Sequence, residues 1–322
     1  MHQHRPLPLA LSALLFQHLA AMEKAGLAPD RSYALLDLGE SARERVATFR
    51  RLVARGVAPP AAGATSGLFS RFDARLLGAA FSAGSPLPTY QRLASHYATR
   101  TTQRMQLRSR MMLPLAVLSI ALFVAPLPSF IGGALSLGGY LVRALGPLVL
   151  LAVLFGCYRS VQAWFTSGAP GPARAMLDSV LLGLPIFGPM HLRRNARDFF
   201  ESLALMLHAG LSVLEALPDA LATVANGQVR KDLASIQPQV EAGATLADAL
   251  AGLRITGSAE LVGFVLTGEQ SGTLAEMLGR YADKETIAVD NFQRELVAWG
   301  PRVFYTLVAL WMAKQILGPA FG

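Results

Sequence analysis

Apolar positions recur along most of this chain at helical spacing. Phe200, Leu203, Leu207 and Leu211 fall at i, i+3, i+7 and i+11, which is one face of a helix, and Leu214 and Leu217 begin the next stripe. No alternating strand pattern competes, so the reading is all-α. From Asn195 to Val297 the pattern divides into about six short helices with tight connections. Ser212 with Glu215 and Thr273 with Glu276 have the spacing of capping boxes, and Thr245 with Asp248 is a looser version. Gly210, Gly243 and Gly272 stand just before these starts, where a preceding helix can end with positive φ. Asn226-Gly227 marks another break.

The pattern changes between Met111 and Tyr158. Arg143 is the only charged residue in that stretch. A spanning helix needs about 20 apolar residues, so the run is too long for one span and suits a hairpin. The pairs Gly132-Gly133 and Gly138-Gly139 mark the turn, which places helices near Met112–Phe130 and Tyr140–Tyr158. Arg143 then lies near a membrane surface, where its side chain can snorkel. A third, weaker segment runs from Val303 to Phe321 and carries Lys314, with Trp299, Tyr305 and Trp311 as interfacial anchors. Arg100, Arg104, Arg108 and Arg110 crowd the start of the hairpin, and Arg159 and Arg174 follow its end. The positive-inside rule puts both flanks in the cytoplasm, the N-terminus inside and the C-terminus outside.

The chain also repeats itself. Phe16–Leu27 reads FQHLAAMEKAGL and Phe200–Leu211 reads FESLALMLHAGL, with 7 identities in 12 positions at an offset of 184. Gly84, Arg92 and Ala94 match Gly272, Arg280 and Ala282 at an offset of 188. The difference between offsets fits within an inter-helix loop. The first copy carries Ala28 and Arg31 where the second has Ser212 and Glu215, and offers Ser85-Pro86 as an N-cap and N1 pair. The expected organisation is therefore a helical domain over 1–110, a hairpin over 111–158, a second and homologous helical domain over 159–298, and a final membrane helix over 299–322.

Composition agrees with a membrane protein. Of the 322 residues, 52% are hydrophobic and only 16% charged, against about a quarter charged in ordinary soluble domains. The net charge of +8 is unevenly placed. Residues 1–110 hold 15 Lys and Arg against 6 Asp and Glu, whereas 159–298 hold 11 against 15. The basic half suits an anionic membrane surface and cytoplasmic topology better than direct nucleic-acid binding. Cys157 is the single cysteine, so an intramolecular disulfide and a metal–thiolate cluster are both excluded. The first apolar run, Leu7–Phe16, is short and contains Pro8, unlike a cleavable signal peptide.

Motifs for catalysis are not found. GxxxxGK[ST], HExxH, CxxC, GxGxxG and GxSxG do not occur, so no enzyme activity and no cofactor is expected. Glu269, between two near glycines, reads as a loop carboxylate capping Thr273 or a neighbouring amide. Arg193, Arg194 and Arg197 could dock an acidic partner or form a solvated face. Asp283, Glu285 and Asp290 read as a solvated helix face, with a cation at an oligomer contact as the alternative.

At Leu184-Pro185-Ile186-Phe187-Gly188, Phe199–Leu211 and Gly268-Glu269-Gln270-Ser271-Gly272-Thr273-Leu274 the chain resembles the type II secretion system F domain family. Its members are inner-membrane platform proteins of type II secretion systems and type IV pili. The resemblance implies two homologous cytoplasmic six-helix bundles and three transmembrane helices. It makes Pro185, Gly188, Gly210, Gly268, Glu269 and Gly272, with Gly26 and Gly84 in the first copy, the family's motif positions. Arg193, Arg194, Arg197 and Glu269 become positions for partner docking. The implied partners are a cytoplasmic assembly ATPase, pilins or pseudopilins, other inner-membrane alignment proteins, membrane lipids and further copies of the chain. The implied function is to couple the ATPase to pilin polymerisation at the inner membrane, with no metal or cofactor. The sequence departs from the family at Glu201, where an Arg is common, and at Ala80–Gly84, where the first copy lacks the acid of Gly268–Gly272. Its short N-terminal lead is similar to type IVb pilus variants. A transporter or channel would instead need polar residues within the spans, and the hairpin offers little beyond Arg143.

Overall fold

The computed structural model describes residues 7–27, 29–124, 126–133, 136–146, 178–180, 182–185, 187–253 and 258–317, with isolated positions 149, 153 and 156. His2, His4, Ala28, Cys157, Tyr158, Arg159, Arg174 and Ile186 lie outside these, as do much of the expected second span and the end of the third. Among the described residues every regular element is helical. The first half comprises α1 (Leu9–Lys24), α2 (Pro29–Leu35), a 3-10 turn (Glu40–Ala42), α3 (Arg43–Ala54), α4 (Pro59–Ser66), α5 (Arg71–Ser82), α6 (Leu87–Val124) and α7 (Leu127–Ile131). The second comprises α8 (Phe187–His208), α9 (Val213–Thr223), α10 (Gly227–Ala234), α11 (Ile236–Glu241), α12 (Leu246–Ala251), α13 (Ala259–Ser271) and α14 (Leu274–Leu317). Chain contacts divide these into two units. One joins Met1–Arg104 with Leu181–Val289, and the other holds Met105–Val180 with Asp290–Gly322. Both helical repeats therefore share one unit.

The repeated sequence has repeated structure. Phe16 and Phe200 are both fully buried, and Leu19 with Leu203 and Ala20 with Ala204 are buried beside them. Each centres an aromatic cluster: Phe16 stacks on Phe69 at 5.7 Å and Tyr97 at 5.6 Å, while Phe200 meets Phe199 at 4.9 Å and Tyr281 at 5.3 Å. Both helices end the same way. Gly26 N–H reaches Glu23 O at 3.0 Å and Leu27 N–H reaches Met22 O at 3.1 Å. In α8 the pair is Gly210 to Leu207 at 3.0 Å and Leu211 to Met206 at 3.2 Å. This double closure requires a left-handed residue, and φ is 70° at Gly26 and 91° at Gly210. Gly84 and Gly272 likewise follow α5 and α13 with φ of 74° and 70°.

Local chemistry sets the other helix starts. Ser212 and Glu215 form a reciprocal capping box on α9. Thr245 caps α12 through Asp248 N–H at 3.0 Å. Asn226 caps α10 by accepting from Gln228 and Val229 N–H. Buried Asn195 holds the same loop by accepting from Ala225 and Asn226 N–H, both at 3.0 Å. The expected box at Thr273 takes another form: Thr273 Oγ1 lies 2.6 Å from Ser271 Oγ, and Glu276 pairs with Arg280 at 2.8 Å. A box that the sequence reading passed over stands on α5, where Ser70 and Asp73 bond reciprocally. Ser258 occupies the matching position on α13 and accepts from Leu261 N–H. The Ser85-Pro86 start is displaced by one residue. α6 begins at Leu87, and Tyr90 N–H bonds Pro86 O at 3.0 Å.

In the other unit α6 ends at Val124, the short α7 follows, and Gly133 turns the chain with φ of 73°. The turn thus uses Gly132-Gly133 as expected, but Gly138-Gly139 lie within a helix over 137–146. The reason is Ser136, whose hydroxyl accepts from Gly139 N–H at 3.2 Å and starts that helix before Tyr140. Tyr140 donates to Phe123 O at 2.9 Å, and its ring lies 5.2 Å from Phe130. The first apolar helix does not begin at Met112 but continues from the first repeat, and it stops at Val124 rather than Phe130. The third segment is likewise a continuation of α14, to Leu317. Among the described residues no helix is long and apolar enough to cross a membrane.

A Cβ added at Gly26 or Gly210 would meet nothing within 4 Å, so any penalty there is backbone strain alone. Gly26→Ala and Gly210→Ala should each lower stability by about 1–2 kcal/mol. Thermal unfolding of the purified chain checks this, and matched losses are expected because the two closures are equivalent.

Candidate functional site

The residues Gly268 to Gly272 build a compact corner. Gly268 is buried where α13 meets α14, and a Cβ there would stand 2.8 Å from Leu274 Cα and 3.1 Å from Met277 Cβ. Only glycine allows that approach without displacing backbone. Glu269 is helical, not a loop residue, and it does not serve Thr273. Its carboxylate accepts from Leu246 N–H at 2.7 Å and Ala247 N–H at 3.2 Å, across the sequence on the first turn of α12. Those amides have no partner within their own helix, and the helix dipole favours an anion there.

The first repeat solves the same problem differently. Its corner reads Ala80-Phe81-Ser82-Ala83-Gly84, so the acid is replaced by Phe81. The helix matching α12 is α4, which begins with Pro59 and Pro60 at its first two positions. Proline has no N–H to satisfy. The carboxylate and the two amides it would serve are thus lost together.

The basic residues of α8 are placed less freely than their sequence suggests. Arg197 donates to Asp198 Oδ1 at 2.7 and 3.1 Å, and its side chain is only 11% exposed. Arg193 lies 3.9 Å from Glu285, whose side chain is 8% exposed. Arg194 is exposed. Gly188 is buried in the first turn of α8, donating to Leu184 O at 2.7 Å, and Pro185 lies in the preceding turn. Among the described residues no group of His, Cys, Asp or Glu is gathered as a metal site.

Among the described residues a polar cluster joins the two repeats. Arg100 on α6 donates to Asp198 at 2.8 Å and Glu201 at 2.9 Å on α8, and His96 Nδ1 lies 2.5 Å from Glu201 Oε1. A second tie, Arg75 to Asp219 at 2.7 Å, is more exposed and so contributes less. Burial favours neutral Glu201, but the His96 hydrogen bond and the charges of His96 and Arg100 outweigh it and hold the carboxyl down at about 2. Burial opposes the charge on Arg100, yet Glu201 and Asp198 raise its pKa. Nearby, burial raises the pKa of Asp73 despite its bonds to Ser70 and to Tyr97, whose hydroxyl donates to it at 3.0 Å. A cavity of about 270 Å³ opens beside the cluster, lined by Arg92, His96, Arg100, Glu201 and Asp283 among others. Sequence reasoning noticed Glu201 only as a departure from the family. Its signal was an acid at the exposed margin of an apolar helix, but its partners lie 101 and 105 positions away.

Helix-end clamps and ion pairs between helices define an all-helical scaffold. Residues 199–310 match the family described as Type II secretion system (T2SS), protein F. It is 28% identical over 310 residues to the type IV pilus assembly protein PilC of Thermus thermophilus, covering 89% of this chain and 75% of that one. It is 29% identical over 327 residues to the type II secretion system protein F of Xanthomonas campestris, covering 93% and 78%. The protein F of Aeromonas hydrophila is 25% identical over 329 residues, covering 95% and 82%. These bear out the family resemblance drawn from the motifs.

Glu269→Ala should destabilise the chain by about 1–3 kcal/mol, because it leaves two helix-start amides unmet. Phe81→Glu should also destabilise, since α4 offers no matching donors; equal stability to the parent in thermal unfolding would contradict this account. Glu201 has a depressed pKa, so its contribution is complete above its ordinary 4.5 and is lost as pH falls through about 2. The stability difference between the parent and Glu201→Gln should therefore shrink over that acid range, as read by denaturant unfolding at each pH.

Proposed function

We propose that this chain is the inner-membrane platform of a type IV pilus or type II secretion machine, coupling a cytoplasmic assembly ATPase to polymerisation of pilins or pseudopilins. The observation that carries the reading is similarity over 89% or more of the chain to proteins named for pilus assembly and type II secretion. The duplicated helical repeat supports it, because two related bundles give a stiff body with two related faces.

In this proposal residues 1–110 and 159–298 face the cytoplasm. Residues 111–158 and 299–322 supply three membrane spans, and the C-terminus is periplasmic. The basic flanks of the hairpin and the nearly charge-free stretch within it support that topology. α6 and α14 are long continuous helices, which suits transmission of movement along the chain. Glu269 and Arg197 are engaged within the fold and withdrawn from the surface, so docking of an acidic surface falls to exposed Arg194 and to Arg193, which is half-exposed beside Glu285. The motif glycines shape the bundles and do not touch partners directly. Other inner-membrane alignment proteins, lipids and further copies complete the assembly.

Two measurements test the reading. Reporter fusions at Arg174 and at the C-terminus should report cytoplasmic and periplasmic locations respectively; a periplasmic signal at Arg174 would refute the topology. A combined Arg193→Gln and Arg194→Glu variant, which sets no like charge against Glu285, should accumulate but lose co-purification with the assembly ATPase. Unchanged recovery would remove these residues from the docking surface. Filament or secretion output unaffected by loss of the whole chain would refute the platform role.

A further inference from the structure

The cavity beside the ion-pair cluster holds about 270 Å³ and lies among α6, α8 and α14. Arg92 lines it from α6, His208 and Glu201 from α8, and Asp283 from α14. His208 marks one end along α8 and Glu201 the other. They stand seven residues apart, which is about 10 Å of helix rise. Ala204 and Leu205 line the stretch between them. The volume lies just under the range of roughly 300–1,000 Å³ for drug-sized ligands, so the space suits a smaller molecule.

Most charges around the cavity are already matched. Arg100 is bonded to Asp198 and Glu201, and Arg197 to Asp198. Two are not. At the His208 end, Arg92 meets no carboxylate among the described residues and donates one long bond, of 3.5 Å, to His208 O. The repeat shows what is missing there. Arg280 matches Arg92 and is paired with Glu276 one turn earlier, where the first repeat has Pro88. At the Glu201 end, Asp283 meets no cation among the described residues. Each end also repels its own kind of charge. Burial and the charge of Arg92 push the His208 imidazole below its ordinary pKa, against the charge of Glu276. Burial and the charge of Glu201 push the Asp283 carboxyl above its ordinary value. An anion beside Arg92 and His208 relieves the first, and a cation beside Asp283 and Glu201 relieves the second.

We propose that this cavity binds a small linear zwitterion, with its carboxylate on Arg92 and His208 and its ammonium on Asp283, the two charges being about 10 Å apart. A simple anion satisfies one end only and meets Glu201 and Asp283 at the other, and a simple cation has the converse problem. Ala204 and Leu205 suit an apolar linker between the charged groups. Arg92 belongs to the first repeat and His208 and Asp283 to the second, so an occupied site ties the repeats together beside the Arg100 pairs. The site goes beyond the platform reading and does not rest on it.

The test is isothermal titration of the full-length chain, in nanodiscs of neutral phosphatidylcholine, with unbranched amino acids that carry their charges at opposite ends. 8-Aminooctanoate, whose charges stand about 10 Å apart when extended, should bind saturably. 4-Aminobutyrate, about half that length, reaches one end only and should bind about tenfold more weakly. Octanedioate and 1,8-diaminooctane, similar in length but with like charges at both ends, should also bind more weakly than 8-aminooctanoate. Arg92→Glu should shift the preference to 1,8-diaminooctane, and Asp283→Lys should shift it to octanedioate. No saturable binding of 8-aminooctanoate, equal binding across lengths, or affinities that follow only the net charge of the probe would each overturn the inference. So would tighter binding of the capped peptide acetyl-Glu-Ala-Ala-Lys-amide, since the occupant would then be a peptide segment. The length series needs only the parent chain, so a variant that fails to fold leaves it decisive.

Discussion

A helix leaves its first four amides without partners inside itself, and this constraint shapes the whole of the larger unit. Its helices are short, so unpaired starts are a large share of the backbone. α12 has 6 residues, and three of its starting amides are met by side chains: two by Glu269 and one by Thr245. Because Glu269 belongs to α13, that solution also fixes α12 against α13. Gly268, one residue earlier, lets α13 lie against α14. A local need for hydrogen bonds thus becomes a three-helix corner, and the corner is the most recognisable motif in the chain.

The duplication shows that the constraint, not the residue, is what persists. Where α12 is served by an acid, α4 removes two amides with Pro59-Pro60, and Phe81 can then replace the acid. Ser70 and Ser258 cap matching helices, but only the first is completed by an acid, Asp73; Leu261 takes its place in the second and is fully buried. Tyr97 donates to Asp73 in the first repeat, and the residue matching Tyr97 is Glu285. Buried polarity has been moved between elements of one fold rather than lost.

This history explains what the sequence made legible. The helical class, the repeat, the glycine ends at Gly26, Gly84, Gly210 and Gly272, and the Ser212–Glu215 cap were readable because each depends on residues within a few positions. The target of Glu269 was not, since Leu246 lies 23 positions away and nothing local links them. Glu201 and its partners were equally hidden, because an ion pair between repeats leaves no spacing rule. Arg197 looked like a docking residue for the same reason: its composition is visible, but its bond to Asp198 depends on the packing around it. The displaced start of the 137–146 helix is a smaller case, in which a serine cap outweighed the glycine pair that seemed to signal a turn.

The ion pairs between repeats also bear on how a duplicated chain avoids confusing its two halves. Related bundles offer related faces, so α6 and α14 compete in principle for the same grooves. Neutral grooves with neutral helices would pair in any combination. Placing Arg100 and His96 on one helix, and Asp198 and Glu201 in one groove, makes every wrong pairing leave a charge without its counterpart. The penalty is larger here than on an open surface, because Glu201 and Arg100 are both largely withdrawn from water. Discrimination therefore comes from what the wrong partner leaves unpaired.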